Sequence, residues 1–435
     1  MIRGTFILTA AGMISRIIGF FYRIFLSRSF GEEAVGLYQL IFPVYVLCLS
    51  FTCAGIQTAI SQNVAAKTAK GRSEEARRFL YTGAALSLAL SLLLMCLTRT
   101  YAGILSDAVL HEPRCRNLLS ILALTFPFSS VHSCICGYYM GLKQVRIPAL
   151  SQLAEQILRV SFVLCVCRAA LTRGIQPSIA AAVAGLVAGE AAAALSCLVI
   201  FRSETRPYTR RREPFTVQFA RVKELLSLSV PLTANRVMMG ILQSIEAISI
   251  PLQLTNAGMD TRRALSTYGV LTGMALPCIL FPSAFTNAVS SMVLPTVAQL
   301  DATDQKKELH LLIRRTISGC LFLGLLGSSF FLITGRAIGG VIFHSSMASD
   351  FILTLSWICP FLYTNTTLLG TINGLAKTGI SFLFSCAGLL VRILSVFLWV
   401  PRIGIRGYLW GLLLSQLLLF LLCISYLIGF RRANT

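Results

Sequence analysis

The chain has 435 residues, 55% of them hydrophobic and only 13% charged, with a mean hydropathy of +0.75 and a formal net charge of +21. Soluble domains average about 25% charged residues, so the composition excludes a soluble enzyme, a disordered protein and an ectodomain on one anchor. The basic excess does not point to nucleic acid, because it sits mostly between long apolar runs, where it sets membrane orientation.

A bilayer core takes about 20 mostly apolar residues per helix. In chain order twelve stretches qualify: 4–28, 34–62, 79–101, 117–142, 147–171, 176–201, 224–252, 266–297, 311–335, 351–373, 379–400 and 404–430. The first follows Arg3 in the manner of a secretory signal. Arg16 interrupts it and the apolar pattern runs on to Leu26 without a cleavage site, so it reads as a retained helix. With the N-terminus in the cytoplasm, cytoplasmic segments hold 22 of the 38 basic residues and external segments 11. That bias predicts an all-α polytopic membrane protein of about twelve transmembrane helices with both termini cytoplasmic.

The longest polar stretch, 203–223, carries Arg210, Arg211 and Arg212 and reads as a basic cytoplasmic linker. It separates an N-terminal six-helix lobe (1–202) from a C-terminal six-helix lobe (224–435). Pro127–Phe128, Gly137, Gly141–Leu142 and Arg159 recur as Pro360–Phe361, Gly370, Gly374–Leu375 and Arg392, each displaced by 233 positions. Ser15–Arg16 pairs with Asn235–Arg236, and Gly185 with Gly411, at other offsets. Six helices per lobe make these parallel repeats about an axis along the membrane normal, an arrangement that puts substrate near the midplane. The paired glycines predict close helix packing. Prolines 43, 127, 231, 277, 282 and 360 lie in or beside spans, as hinges or as plain breaks.

A charge inside a span costs at least about 2.5–3.5 kcal/mol, which makes it a functional candidate. Five arginines qualify, Arg16, Arg23, Arg159, Arg236 and Arg392, with three glutamates, Glu155, Glu190 and Glu246. At 100° per residue Gly12, Arg16, Gly19 and Arg23 fall within about 60° of one another. The result is a stripe of two guanidinium forks suited to a pyrophosphate, with snorkelling as the alternative for Arg23. Arg236, Gly240, Gln243 and Ala247 repeat that face on helix seven, with a structural Arg236–Glu pair as the alternative. Arg159 has Glu155 four residues earlier, which favours a structural pair. Arg392 has no such partner on its own helix. Arg16, Arg23, Arg236, Gln243 and Arg392 are therefore expected to bind substrate. Glu190, Glu246, Glu155 and Arg159 are expected to serve ion coupling or structural pairing.

Among the fourteen cysteines no CxxC pair occurs, and the four histidines, 111, 132, 310 and 344, make no metal-ligand spacing. The cysteines read as small core residues, and neither a metal, a cofactor nor a disulfide framework is expected. No phosphate-cradling loop, HExxH motif or nucleophile with a base appears, so the chain reads as a transporter and not an enzyme.

The stretch Gly4–Arg28, GTFILTAAGMISRIIGFFYRIFLSR, closely resembles the stage V sporulation protein B group, as do Gly36–Tyr45 and Ala54–Ser61. That group sits with polysaccharide-unit and lipid II flippases in the multidrug/oligosaccharidyl-lipid/polysaccharide exporter superfamily. The resemblance implies export of an undecaprenyl-pyrophosphate-linked saccharide across the bacterial cytoplasmic membrane. It also implies cavity roles for Arg16 and Arg23, and cell-wall or sporulation machinery as partners. Ile24 stands where an acid usually follows the second arginine, and Leu271 where helix eight would carry an arginine. The arginine pair of helix two is missing from Phe42–Gln62. Twelve spans also lack the extra pair that forms a lipid-tail groove in lipid II flippases. The class expected is thus a lipid-linked saccharide, without lipid II in particular. The alternatives are a cation-coupled multidrug antiporter of the same superfamily and a non-transporting assembly scaffold.

Overall fold

The computed structural model describes residues 2–204 and 215–433, which are helical almost throughout and contain no strand. Residues 205–214 of the expected 203–223 linker, including Arg210, Arg211 and Arg212, lie outside the described residues. Helices suit lipid because they satisfy their backbone donors and acceptors within the segment.

Contacts divide the chain into two compact units. One comprises Met1–Tyr22 and Leu37–Ser244, the other Arg23–Gly36 and Ile245–Thr435. The first helix, α1 (Ile2–Leu40), therefore contributes to both. It is broken at Gly31, whose φ of 80° and ψ of 170° suit a residue without a Cβ.

In the first unit α2 (Phe42–Leu49) begins with Pro43 in its first turn, where the missing N–H leaves no bond unmade. A π-helical turn, Ser50–Ala54, leads into α3 (Gly55–Ala69). Such turns loosen the carbonyl ladder, and hydroxyls compensate here: Ser50 Oγ donates to the Val46 carbonyl at 2.8 Å and Thr52 Oγ1 to Cys48 at 3.0 Å. There follow α4 (Ser73–Thr100), α5 (Cys115–Leu122), α6 (Thr125–Gly141), α7 (Arg146–Thr172) and α8 (Ala180–Glu204). The helix α9 (Phe215–Asn256) gives the unit its residues up to Ser244. Gly137 and Gly141 of α6 let the backbone of α3 approach: a Cβ on either would stand 2.6 Å from the Gln57 or the Ser61 carbonyl. Ile60, Val64, Phe79 and Tyr139 close the core around that contact.

The second unit holds α10 (Thr261–Gly269), α11 (Leu276–Leu280), α12 (Ser283–Ala302), α13 (Lys306–Ala337), α14 (Ser346–Leu355), α15 (Cys359–Gly374), α16 (Thr378–Leu398) and α17 (Ile405–Ala433). Gly370 and Gly374 of α15 face Ser290 and Leu294 of α12; a Cβ on Gly374 would stand 2.7 Å from the Leu294 carbonyl and 2.9 Å from Val297 Cβ. Gln57, Ser61 and Val64 in α3 and Ser290, Leu294 and Val297 in α12 are again 233 residues apart. The repeat seen at the glycines therefore extends to the helices they pack on. Val293, Val297, Ile372 and Cys423 lie in the core of this unit. The segment from Arg28 to Gly36 is tied in by Arg28, which donates to the carbonyls of Val341 and Ile342 at 2.8 Å, and by Ser266, which donates to Glu32 at 2.7 Å.

Twelve spans were expected. Among the described residues ten helices are long and apolar enough to cross a membrane, or eleven if Thr261–Leu280 and Ser283–Ala302, bent by 56° at Pro282, are one span. The shortfall has a local cause. The first two expected spans, 4–28 and 34–62, run into a single apolar stretch, Ala10–Ala69, of 60 residues.

Candidate functional site

Several charged residues inside the spans are held by partners within their own unit, whereas Arg16 and Arg236 make no hydrogen bond or ion pair among the described residues.

In the first unit Glu155 and Arg159, one helical turn apart on α7, are joined by a hydrogen bond from Arg159 Nη2 to Glu155 Oε1. Both are largely buried, with side chains 17% and 16% exposed. Glu190 on α8 is 7% exposed; its Oε1 accepts from the Tyr45 hydroxyl of α2 at 2.9 Å. Its Oε2 lies 3.6 Å from Nδ1 of His132 on α6 and has no hydrogen-bond partner. The other ring nitrogen of His132 is 3.0 Å from Ser151 Oγ on α7. Tyr45, His132 and Ser151 did not emerge from the sequence. A histidine in the middle of an apolar run was the available signal, but its carboxylate partner is 58 residues away in sequence.

In the second unit Glu246, ten residues before the end of α9, is 4% exposed. Arg392 of α16 holds both its oxygens, Nε to Oε1 at 2.6 Å and Nη2 to Oε2 at 2.8 Å. Tyr408 of α17 adds a third bond, its hydroxyl donating to Oε1 at 2.8 Å. Arg392, expected to face substrate, is thus committed to a buried glutamate. The sequence hid this because the partner lies on another helix.

The remaining predicted residues differ. Arg16, Arg236 and Gln243 are exposed, all in the first unit, and neither arginine makes a hydrogen bond or ion pair within the described residues. Arg23, half-buried, belongs to the second unit, so the two arginines of the helix-one stripe fall on either side of the unit boundary. Of the stripe's glycines, Gly12 faces open space, while a Cβ on Gly19 would stand 3.2 Å from Gln156 Nε2 of α7.

The first unit also carries a cavity of about 620 Å³ with no charged residue in its lining, formed by Phe51, Ile56, Leu86, Val230, Ala234 and Met238 among others.

Ten or eleven membrane-length apolar helices among the described residues make this a multi-pass membrane protein. The solved structures agree on the fold. Lipid II flippase MurJ in its inward closed conformation matches with a TM-score of 0.75 at 16% identity, over 97% of this chain and 87% of that one. An inward-facing multidrug resistance MATE family transporter of the MOP superfamily matches with a TM-score of 0.73 at 13% identity, over 97% and 95%. In sequence, stage V sporulation protein B of Bacillus subtilis (strain 168) is 28% identical over 429 residues, 97% of this chain and 82% of that protein. Lipid II flippase MurJ of the same organism is 24% identical over 349 residues, 74% of this chain and 62% of that protein. The chain belongs to the polysaccharide biosynthesis protein family, whose model matches residues 1–301. It is a multi-pass protein of the cytoplasmic membrane, a flippase or transporter and not an enzyme.

Proposed function

We propose that this chain moves an anionic lipid-linked saccharide, of the undecaprenyl-pyrophosphate type, from the cytoplasmic to the outer leaflet by alternating access. Arg16, Arg236 and Gln243, all of the first unit, bind the pyrophosphate. The observation that carries this reading is the sign of the charge left over. Each intramembrane glutamate, Glu155, Glu190 and Glu246, is engaged by a side chain of its own unit. Arg16 and Arg236 are exposed within their spans and engage nothing there. A site for cationic drugs needs an acid open to its ligand; an anion needs the reverse. Guanidinium forks replace the hydration of a pyrophosphate by charge-assisted hydrogen bonds.

The proposed topology is twelve spans in two six-helix lobes with both termini in the cytoplasm. A 60-residue helical stretch is about 90 Å long at 1.5 Å per residue, three times a hydrocarbon core of about 30 Å. The break at Gly31 lets Ala10–Ala69 serve as two crossings, and counting the bent pair as one then gives twelve. Outward movement of an anion is favoured by an inside-negative potential by about 2.3 kcal/mol per charge per 100 mV, which drives export without ATP. The apolar cavity lined by Phe51, Val230 and Met238 would take part of the isoprenoid tail.

Native mass spectrometry tests the reading directly. Undecaprenyl-pyrophosphate saccharide should bind the purified protein in preference to cardiolipin, and the Arg16→Ala/Arg236→Ala variant should lose that preference. Binding no better than cardiolipin, or unchanged in the variant, would overturn it. Efflux of ethidium from expressing cells would then favour the multidrug alternative.

A further inference from the structure

We propose that His132, Cys136 and Cys197 form a membrane-buried site for one borderline-soft divalent cation of the zinc type, with Glu190 as the outer partner of the histidine. His132 and Cys136 lie one turn apart on α6, on the same helix face. Cys197 comes from α8. One ligand atom from each, an imidazole nitrogen and two Sγ, all fall within 4.8 Å of one another. A tetrahedral ion at about 2.0–2.3 Å from N and S donors brings such atoms into this range or slightly closer. Cys136 is 6% exposed and Cys197 fully buried.

The surroundings fit a metal site better than simple packing. Glu190 Oε2 is a buried carboxylate oxygen without a hydrogen-bond partner, 3.6 Å from His132 Nδ1. A proton on Nδ1 directed at that oxygen fixes the tautomer and leaves the Nε2 lone pair for the metal, the carboxylate–histidine–metal relay common to zinc sites. Glu190 is itself held by Tyr45 at 2.9 Å, so the relay is anchored on a third helix. Nε2 is turned to Ser151 Oγ at 3.0 Å, and that oxygen lies 3.6 Å from Cys136 Sγ. Ser151 donates its proton to the Pro148 carbonyl, at 3.0 Å, so its lone pairs are free to fill a fourth position. Loading the site releases one proton from each thiol. The two protons released offset the two charges of the ion, so loading adds no net charge to the low-dielectric interior. Thiolate donors select zinc-type ions over Mg²⁺ or Ca²⁺. The ion would tie α6 to α8 with α7 alongside. The proposal does not depend on the substrate of transport.

The test is Co²⁺ and Zn²⁺ binding to the purified full-length protein, reduced beforehand and freed of metal. One equivalent of Co²⁺ should give a thiolate-to-cobalt charge-transfer band with the intense visible bands of tetrahedral cobalt, and Zn²⁺ should displace it. Cys136→Ser and Cys197→Ser, nearly isosteric, should each abolish the charge-transfer signature or halve it while helical circular dichroism is unchanged. Glu190→Gln should retain the signature with 10- to 100-fold weaker affinity, the usual effect of losing an outer-shell partner. Zn²⁺ should raise the thermal midpoint of the wild type and leave that of the Cys136→Ser/Cys197→Ser variant where it is. No binding above that double variant would overturn the site. So would six-coordinate cobalt without thiolate bands, which places the ion on His132, Glu155 and Glu190 instead, or a Cys136–Cys197 disulfide in protein isolated without reductant.

Discussion

Arg392 grips Glu246 through two hydrogen bonds, at 2.6 and 2.8 Å, from helices 146 residues apart in sequence. Its counterpart 233 residues earlier, Arg159, is also paired with a glutamate, but with one on its own helix. The two repeats thus keep a half-buried arginine at the same register and neutralise it by different routes. Removing one partner of such a pair strands the other. Arg392→Ala is expected to cost about 3 kcal/mol, the low end for a broken buried pair, because Tyr408 still donates to Glu246 and the Arg392 side chain is 29% exposed. Replacing both partners by apolar residues, Arg392→Met with Glu246→Leu, should recover most of the loss. Thermal unfolding in detergent, run as a double-mutant cycle, measures both.

Helix contacts at the repeated glycines make a second expectation. A Cβ on Gly141 would stand 2.6 Å from the Ser61 carbonyl and 2.9 Å from Val64 Cβ, and backbone cannot yield as a side-chain tip can. Gly141→Ala and Gly374→Ala should each destabilise by about 1–3 kcal/mol through overpacking. Gly12 has nothing within 4 Å, so Gly12→Ala should be neutral or slightly stabilising, as alanine is the better helix former. Equal effects at all three positions would remove the packing account.

The same contrast shows what the sequence discloses. The spans, the 233-residue register and the Glu155–Arg159 pair were legible because each is local or periodic. Arg392–Glu246, Glu190–Tyr45 and the His132 cluster were not, because each joins helices far apart in sequence and no periodicity marks the partner. The cysteines were read as core, and twelve of the fourteen are buried or half-buried. Only α8 shows that Cys197 stands beside His132 and Cys136. The expected spans 4–28 and 34–62 fall within one helical stretch, Ala10–Ala69, with a break at Gly31 that no local sequence pattern marks.

Arg16 and Arg236 separate stability from binding. Neither is paired among the described residues, so Arg16→Ala and Arg236→Ala should leave the thermal midpoint unchanged or raise it. A charge-assisted hydrogen bond contributes about 1.5–3 kcal/mol, so each variant should weaken pyrophosphate-lipid binding by about ten- to a hundredfold. Arg159→Ala should show the opposite pattern, losing stability, because it strands Glu155. Measuring midpoint and lipid affinity on the same preparations distinguishes the two. A large loss of stability in Arg16→Ala would mean that its guanidinium has a structural partner after all.

The tail of the proposed substrate gives the last expectation. Ala234 lines the apolar cavity on the α9 side, opposite no charged residue. Ala234→Trp fills part of that volume with apolar surface and leaves Arg16 and Arg236 in place. If the cavity takes isoprenoid, binding of the undecaprenyl carrier should weaken while a short-chain pyrophosphate analogue binds as before. On the proposed site, headgroup affinity rests on the arginines and tail affinity on about 25 cal/mol per Å² of apolar surface removed from water. In lipid the tail is already apolar, so the difference should be small, about a fewfold, and visible only against the short-chain control. Equal weakening of both ligands would show that the tryptophan disturbs the arginines, and no weakening of either would leave the tail in the surrounding bilayer.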